Sequence, residues 1–304
     1  MDNQKMSNEL RGDWLNRYDE PKTKSQAVYS LKAFDQFVKI KYSDNEQMLI
    51  EYCKKNGEES RYLMLDSLVQ YWLFDLEFSP ATIRNYFSFI RSYLRRFGIK
   101  TYKEDLKEYV RLPKKVKERK EPLSKETVKK IILNSDSKYR AFWVFLLSTG
   151  MRIGEAVQCT KKWLDFSLLE KYGLVLVKIP APETKEVESR YTFLTAQAWK
   201  LIKPFYESRI LETDPLLGIS YSAAEEYFNE LRERLGMLDK YTTGFYKISI
   251  HSFRSVTRTA LSDKCGNEFA WYILGQSGYL PSYYRKPYED GAKLYKLAEQ
   301  ELTI

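Results

Sequence analysis

The sequence predicts a mainly α-helical fold of two domains, the first all-helical and the second mostly helical with a small antiparallel β-sheet. Three observations support this prediction. Apolar residues recur at steps of three and four over most of residues 24–109, which is the helical period. Two short β-rich runs, LVLVKI and RYTFL, occur only in the second part of the chain. A charged stretch without an apolar period, RLPKKVKERKEP, separates the two parts.

Composition divides the chain into four segments. Residues 1–22 are polar and are expected to form a flexible N-terminus. Residues 23–110 would form the helical domain, residues 111–122 an extended basic linker, and residues 123–304 the second domain. A chain of 304 residues, of which 43% are hydrophobic and 30% charged, is long and apolar enough for two cores.

The helices of the first domain are predicted from apolar stripes. Leu31 and Phe34 belong to one such stripe, and a second helical run covers residues 63–78. A third helix is expected to open at Ser79, whose hydroxyl can cap the first turn, with Pro80 as its first residue.

The second domain contains apolar patterns of both the helical and the strand period. A helix is expected at about 138–148, where it ends at a Thr-Gly turn, and further helices extend to the C-terminus. Residues 174–179 and 190–194 are predicted to be two strands of a small antiparallel sheet near residues 160–195. The segment between them, PAPETKEVES, would be a hairpin loop that carries Lys185.

Positive charge is concentrated in one place. The formal net charge is +9, and residues 81–121 contain 13 Lys and Arg against 5 Asp and Glu, a difference of 8. An anionic partner such as nucleic acid is therefore expected, although a solvated basic face would have the same composition. The side chains expected to contact DNA phosphates lie on the third helix and in the linker: Arg84, Arg91, Arg95, Lys114, Lys115, Lys117 and Arg119.

The cysteines and the N-terminus indicate a compartment. Cys53, Cys159 and Cys265 are odd in number and far apart, which argues against a disulfide framework or a zinc site and fits a reducing cytosol. The first residues contain no apolar signal region, and no run approaches a membrane span. A cytoplasmic, nucleoid-associated protein without a membrane partner is expected.

The single histidine of the chain begins a motif. In KISIHSFRSVTRTAL, His251, Arg254, Ser255 and Arg258 share one side of a predicted helix. A histidine and an arginine one turn apart can both donate to one phosphate oxygen. A surface helix with an incidental histidine is the alternative.

A second motif is LLSTGMRIGEAVQ, where an apolar helix ends at a Thr-Gly turn and Arg152 precedes the next helix. Glu155, one turn later, can orient the Arg152 guanidinium and leave its planar fork to bind phosphate. An ordinary structural Arg–Glu pair would have the same spacing.

Together these segments resemble the tyrosine recombinase (phage integrase) family. TGMRIGE matches the first-arginine motif of that family, and HSFR matches its HxxR motif. ILGQS matches the segment that usually contains LGH, and a tyrosine-rich tail follows it. The resemblance covers residues 123–304, and the basic helical part is similar to the family's core-binding domain. The closing tail is more similar to archaeal integrases than to bacterial Xer proteins.

The resemblance implies a role for each matching residue. Arg152 and Arg254 would hold the non-bridging oxygens of the scissile phosphate, and His251 would assist proton transfer. Lys185 would be the general acid for the leaving 5′-oxygen, and Lys178 is a less favoured candidate because it lies within the apolar strand. Gln276 stands where the family usually has His or Trp, so it can donate a hydrogen bond but cannot carry charge.

The tail offers several tyrosines for the role of nucleophile. An arginine two residues later and a tyrosine twelve residues later favour Tyr283, whereas the spacing after ILGQS slightly favours Tyr284. Tyr283 is the first choice. Tyr279 lies too close to Gln276, and Tyr288 and Tyr295 are expected to pack against other side chains.

The implied function is site-specific recombination. Such an enzyme cleaves and rejoins double-stranded DNA through a 3′-phosphotyrosyl intermediate and a Holliday junction, as a homotetramer, without a metal, ATP or another cofactor. Two alternatives remain, namely a catalytically silent DNA-binding accessory protein and a type IB topoisomerase-like enzyme. The helix at residues 291–302 could dock on a neighbouring protomer or close its own domain.

Overall fold

The structure is a computed structural model that describes residues 2–114, 118, 123–184, 188–276 and 286–304. The chain divides into two compact units, Met1–Glu118 and Arg119–Ile304. Each unit has a hydrophobic core of its own. Within the described ranges, no helix is both long and apolar enough to cross a bilayer.

The first unit is all-helical, as the sequence predicts. Its helices are α1 (Asp2–Asn16), α2 (Pro21–Lys41), α3 (Glu46–Lys55), α4 (Glu58–Phe74), α5 (Pro80–Leu94) and α6 (Lys103–Tyr109). The Ser79 hydroxyl accepts a hydrogen bond from the Thr82 amide at 3.2 Å, and Pro80 occupies the first turn of α5. The apolar stripe of α5 is buried, which leaves the arginines of this helix on its outer side.

The expectation of a flexible segment over residues 1–22 is wrong for the part that the structure describes. Helix α1 covers most of this segment, and α2 begins at Pro21. The Trp14 side chain is fully buried in the core of the first unit. Arg11 donates to the Asp35 carboxylate and to the Tyr93 hydroxyl. One buried indole and one paired guanidinium therefore anchor a helix whose overall composition is polar.

The second unit is mostly helical. Its helices are α7 (Lys125–Leu133), α8 (Ser137–Thr149), α9 (Ile153–Gln158), α10 (Leu169–Tyr172), α11 (Ala196–Ser208), α12 (Tyr221–Arg234), α13 (His251–Cys265), α14 (Asn267–Leu274) and α15 (Tyr288–Ala298). Helix α8 is buried over most of its length and packs against α7, α11, α13 and the sheet. It therefore forms the centre of this unit.

The small sheet of the second unit is antiparallel, with strand order β1 (Leu164–Asp165), β2 (Val175–Ile179) and β3 (Arg190–Leu194). The prediction of a small antiparallel sheet in this region is confirmed. Strand β1 was not predicted, because two residues are too few for an alternating pattern. The β2–β3 ladder closes at the pair Ile179 and Arg190, so the loop between them leaves the sheet at this end.

The C-terminal end of α8 lies inside the protein, where its last carbonyls need partners. Side chains from three later elements supply them. Thr257 Oγ1 donates to Leu147 O at 2.7 Å, the Tyr295 hydroxyl to Ser148 O, Thr192 Oγ1 to Thr149 O at 2.7 Å, and Arg254 Nη1 to Gly150 O at 2.5 Å. Strand β3 and helices α13 and α15 are thereby joined to one helix end.

Helix α15 closes its own domain. Ala292, Tyr295 and Ala298 are fully buried, and the helix packs against α13 of the same unit. Of the two arrangements that the sequence left open for this helix, the structure contains the one within a single chain.

Candidate active site

Arg152 stands immediately before α9, and Glu155 lies in the first turn of that helix. Arg152 Nη1 donates to Glu155 Oε1 at 3.0 Å, and the Arg152 amide donates to Glu155 Oε2 at 2.8 Å. Glu155 is 3% exposed, whereas the Arg152 side chain is 27% exposed. The pair expected from the sequence is therefore present, with a buried carboxylate that fixes an accessible guanidinium.

Arg254 is buried more deeply than its position in the motif suggested. The sequence placed it on one side of the helix with His251, Ser255 and Arg258, but in α13 these three are exposed and Arg254 is 4% exposed. The guanidinium points inward because Nη1 donates to Gly150 O at 2.5 Å and Nη2 donates to Leu274 O at 2.6 Å. Arg254 thus connects the ends of α8 and α14.

A third arginine, Arg190 at the start of β3, joins this group and was not a predicted site residue. Its Nη2 donates to Glu155 Oε2, and its Nη1 donates to Ile273 O at 2.7 Å. The side chain is 5% exposed. A charged residue at the head of an otherwise apolar strand was the available signal in the sequence, but such residues commonly lie in solvent.

The three arginines meet at the C-terminal end of α14. Gly275 ends this helix with φ of +56°, and the amides of Gly275 and Gln276 donate back to Tyr272 O and Trp271 O. This pattern leaves the next three carbonyls without partners in the helix. Each of them accepts from a different arginine: Ile273 O from Arg190, Leu274 O from Arg254, and Gly275 O from Arg152 at 3.3 Å.

Burial and mutual repulsion weaken the charged form of these arginines. Burial, together with the positive charges of Arg190 and Arg152, lowers the pKa of Arg254 to about 9, which leaves it charged at neutral pH. Burial likewise lowers the pKa of Arg190, while Glu155 acts in the opposite direction. An oxyanion at this place would add negative charge to a group that has three guanidinium ions and one carboxylate.

The two remaining motif residues within the described ranges adjoin this group. His251 is the first residue of α13, exposed, and one turn ahead of Arg254. Gln276 directly follows Gly275 and is half-buried. In the described part of the chain, no three His, Cys, Asp or Glu side chains come together as metal ligands would.

Several predicted residues lie outside the described ranges. They are Lys185, both candidate nucleophiles Tyr283 and Tyr284, and the linker residues Lys115, Lys117 and Arg119. Lys178, the alternative general acid, lies on β2, forms an ion pair with Asp165 at 2.7 Å and stands over the ring of Tyr288. The roles of all these residues stay predictions.

A basic groove lies on the first unit, between the end of α1, the outer side of α5 and residues 99–102. It has a volume of about 750 Å³. Its cationic side chains are Arg17, Arg91, Arg95, Arg96 and Lys100. None of the five forms an ion pair with a described residue, whereas Arg11, Arg61 and Arg111 of the same unit are each paired with a carboxylate.

The structure divides the predicted DNA-binding residues of the first unit. Arg91 and Arg95 line the basic groove, where Arg91 Nε donates to Thr101 Oγ1 at 2.9 Å. Arg84 is exposed but is not part of the groove lining, and its Nε donates to Pro113 O at 2.9 Å. Lys114, the residue after Pro113, is also exposed.

Comparison with protein families finds a match for part of the chain. A family model described as the phage integrase family matches residues 121–268. A search of curated proteins by sequence finds no match.

Solved structures share the fold. A lambda integrase tetramer bound to a Holliday junction has a TM-score of 0.62 at 13% identity, over 93% of this chain and 79% of that chain. A lambda integrase(75–356) dimer bound to a COC′ core site has a TM-score of 0.61 at 13% identity, over 93% and 98%. The post-cleavage complex of the XerH site-specific recombinase with palindromic difH has a TM-score of 0.57 at 17% identity, over 92% and 77%. At such identities the similarity establishes the fold.

Inorganic phosphate is expected to stabilise the second unit, because a bound oxyanion offsets the repulsion among the three arginines. At ten times its dissociation constant, a ligand specific for the folded state adds about 1.4 kcal/mol to the free energy of unfolding. The thermal unfolding midpoint, measured in phosphate and in chloride at equal ionic strength, should therefore rise by a few degrees.

The matched control is Arg152→Gln. Phosphate also stabilises proteins without binding, and that general effect would persist in the variant. Equal midpoint shifts in wild type and Arg152→Gln would contradict an oxyanion site at this cluster.

Proposed function

We propose that this chain, whose residues 121–268 carry a phage integrase family domain, is a site-specific tyrosine recombinase that cleaves and rejoins DNA strands. The observation that carries the proposal is the convergence of Arg152, Arg254 and Glu155 at one place, where the charge and the hydrogen-bond donors suit a phosphodiester. Proteins of the same fold have been solved with DNA: lambda integrase bound to a Holliday junction, and the XerH site-specific recombinase bound to a difH substrate.

The arginines would bind the scissile phosphate before any bond breaks. Arg152 is the accessible one, and its guanidinium is held by Glu155 in an orientation that can present N–H groups to a non-bridging oxygen. Arg254 would add positive charge from behind, and two of its five N–H donors are used by Gly150 O and Leu274 O. Donors fixed in advance stabilise the additional charge of the pentacoordinate transition state, each by about 10²–10³ in rate.

The bond changes would then follow without a cofactor. The Tyr283 oxygen attacks phosphorus, the bond from phosphorus to the 5′-oxygen breaks, and that oxygen takes the electron pair and a proton from Lys185. His251 assists removal of the tyrosine proton, and Gln276 donates a hydrogen bond to the phosphate. The phosphotyrosine preserves the energy of the broken bond, so the reverse attack by a 5′-hydroxyl reseals the strand without ATP.

The basic groove of the first unit would hold the DNA backbone. Its five cations are not paired with carboxylates of the described residues, so they can replace the counterions of a duplex. Such contacts position a protein on DNA without reading its sequence. Together with the linker lysines and Arg119, the groove would supply affinity for DNA. The protein would assemble as a homotetramer on two DNA sites, in the cytoplasm.

The covalent intermediate provides the test. Wild type, Tyr283→Phe, Tyr284→Phe and Arg152→Ala are incubated with a nicked suicide substrate that carries the candidate attachment site, with EDTA present. A protein–DNA adduct should form in wild type and be lost in Arg152→Ala and Tyr283→Phe, as read on a denaturing gel. Tyr288→Phe is the matched control, because this described tyrosine packs edge-on against Tyr191 and should keep the adduct.

Other outcomes would identify the alternatives. Loss of the adduct in Tyr284→Phe alone would transfer the nucleophile role to Tyr284. If the wild type binds DNA but forms no adduct, the hypothesis of a catalytically silent accessory protein would be favoured. Relaxation of supercoiled plasmids that lack the site would favour a topoisomerase-like enzyme.

The groove is tested separately by the salt dependence of DNA binding. The logarithm of the binding constant falls with the logarithm of salt concentration, with a slope of about 0.9 for each phosphate neutralised. Replacing both Arg95 and Lys100 by Gln should therefore reduce that slope by about 1.8 in duplex titrations.

Lys55→Gln is the control for this measurement. Lys55 is an exposed cation of the same unit but is paired with Glu51 at 2.9 Å. An unchanged slope in the groove double variant, or an equal reduction in Lys55→Gln, would exclude the groove as a phosphate-binding site.

A further inference from the structure

We infer that Arg190 is a positioning residue for the reaction: it fixes Glu155 and the end of α14, and through them Arg152. The inference rests on the proposed function. It assigns to Arg190 no contact with DNA, since its described bonds are to Glu155 and to a carbonyl within the same unit.

The Glu155 carboxylate is shared between two arginines. Oε1 accepts from Arg152 Nη1 at 3.0 Å, while Oε2 accepts from Arg190 Nη2 and from the Arg152 amide at 2.8 Å. Because a carboxylate is planar and rigid, the bond from Arg190 to one oxygen sets the direction of the other. The orientation of the Arg152 guanidinium therefore depends on Arg190, although the two arginines carry like charges.

Arg190 also fixes the carbonyl end to which Arg152 donates. Its Nη1 bonds Ile273 O at 2.7 Å, in the last turn of α14. A methyl group added at Gly275 would overlap Arg190 Cδ and approach its Nε to 2.6 Å. Side chain and helix end are thus in direct contact, and Gly275 O is the second partner of Arg152.

Stability alone is a poor reason for an arginine at this position. The side chain is 5% exposed, its Nε has no hydrogen-bond partner among the described residues, and two further guanidinium groups lie nearby. Burying such a charge costs more than a well-packed apolar side chain of similar volume. A role for Arg190 in orienting the Arg152 guanidinium explains why a charged side chain is buried at this position.

The location of Arg190 in the sequence adds a further link. It is the first residue of β3 and pairs with Ile179 across the hairpin. The loop that leads into it contains Lys185. One side chain therefore joins the closing residue pair of the β2–β3 ladder to Glu155 of the Arg152 motif and to the end of α14.

The experiment compares Arg190→Lys with Arg140→Lys. Lysine keeps the charge, but a single ammonium cannot reproduce the planar fork that bonds Glu155 and Ile273 O together. Arg140 is the matched control, because it also donates to carbonyls at the C-terminal end of a helix. Its acceptors are Ile132 O and Leu133 O in the last turn of α7 and Ser135 O just after it.

Two quantities are measured on folded protein, the rate of adduct formation on the suicide substrate and the DNA affinity. In Arg190→Lys the rate should fall by about a hundredfold, the effect of misplacing a reacting group by about 1 Å, with affinity unchanged. In Arg140→Lys both should stay near wild type. In Glu155→Gln, adding Arg190→Lys should slow the reaction by clearly less than the same change does in wild type, because part of its effect acts through the carboxylate already replaced. A wild-type rate in Arg190→Lys, or an equal loss in Arg140→Lys, would overturn the inference.

A second readout does not require activity. The ¹⁵N-labelled side-chain signal of Arg152, assigned from its loss in Arg152→Lys, should shift or broaden in Arg190→Lys and stay unchanged in Arg140→Lys. An unchanged Arg152 signal in Arg190→Lys would overturn the inference, whatever the rate of adduct formation in that variant. Absence of any adduct from wild type would instead count against the proposed function, and the spectra would still decide the role of Arg190.

Discussion

Two helices of the second unit, α8 and α14, end inside the protein, and their final carbonyls must be hydrogen bonded there. The fold meets this requirement with side-chain donors. Threonines, a tyrosine and Arg254 serve the end of α8, and the three arginines serve the end of α14. Since Arg254 donates to both helix ends, it couples the spacing of α8 and α14 to the placement of the arginines.

The same arrangement explains how cations are kept close together. The C-terminal end of a helix carries partial negative charge, which favours guanidinium groups. Glu155 adds a full negative charge between Arg152 and Arg190. The remaining positive charge and the exposed part of Arg152 are what an incoming phosphate would meet. Under the proposed function, the side chains that bond the helix ends would therefore also bind the oxyanion.

The Arg152–Glu155 pair could be predicted because its motif is local. The two residues are three positions apart, and the structure contains the ion pair that this spacing indicates. Arg190 could not be found in this way, because its partners lie 35 and 83 residues distant in the chain.

The fold shows the same limit of local information. Strands β2 and β3 and the two-domain division follow from apolar periods, and the mainly helical fold is confirmed. The packing of α1 was missed because it depends on the long-range contacts of Trp14 and Arg11 with other helices, whereas its composition is polar. The burial of Arg254 was missed for a similar reason, since two helix ends from other parts of the chain draw its guanidinium inward.

A pair of glycine substitutions tests whether the three arginines act as a unit at the end of α14. Gly275 and Gly173 both end helices with positive φ, +56° and +67°, so alanine adds similar backbone strain at each. A methyl group at Gly275 would overlap Arg190, whereas one at Gly173 would only touch Ala196 at 4.0 Å. The measurement is the rate of covalent adduct formation by equally folded protein. We expect a large loss of this rate in Gly275→Ala and a wild-type rate in Gly173→Ala. Equal rates in the two variants would show that the arginines do not act as a unit.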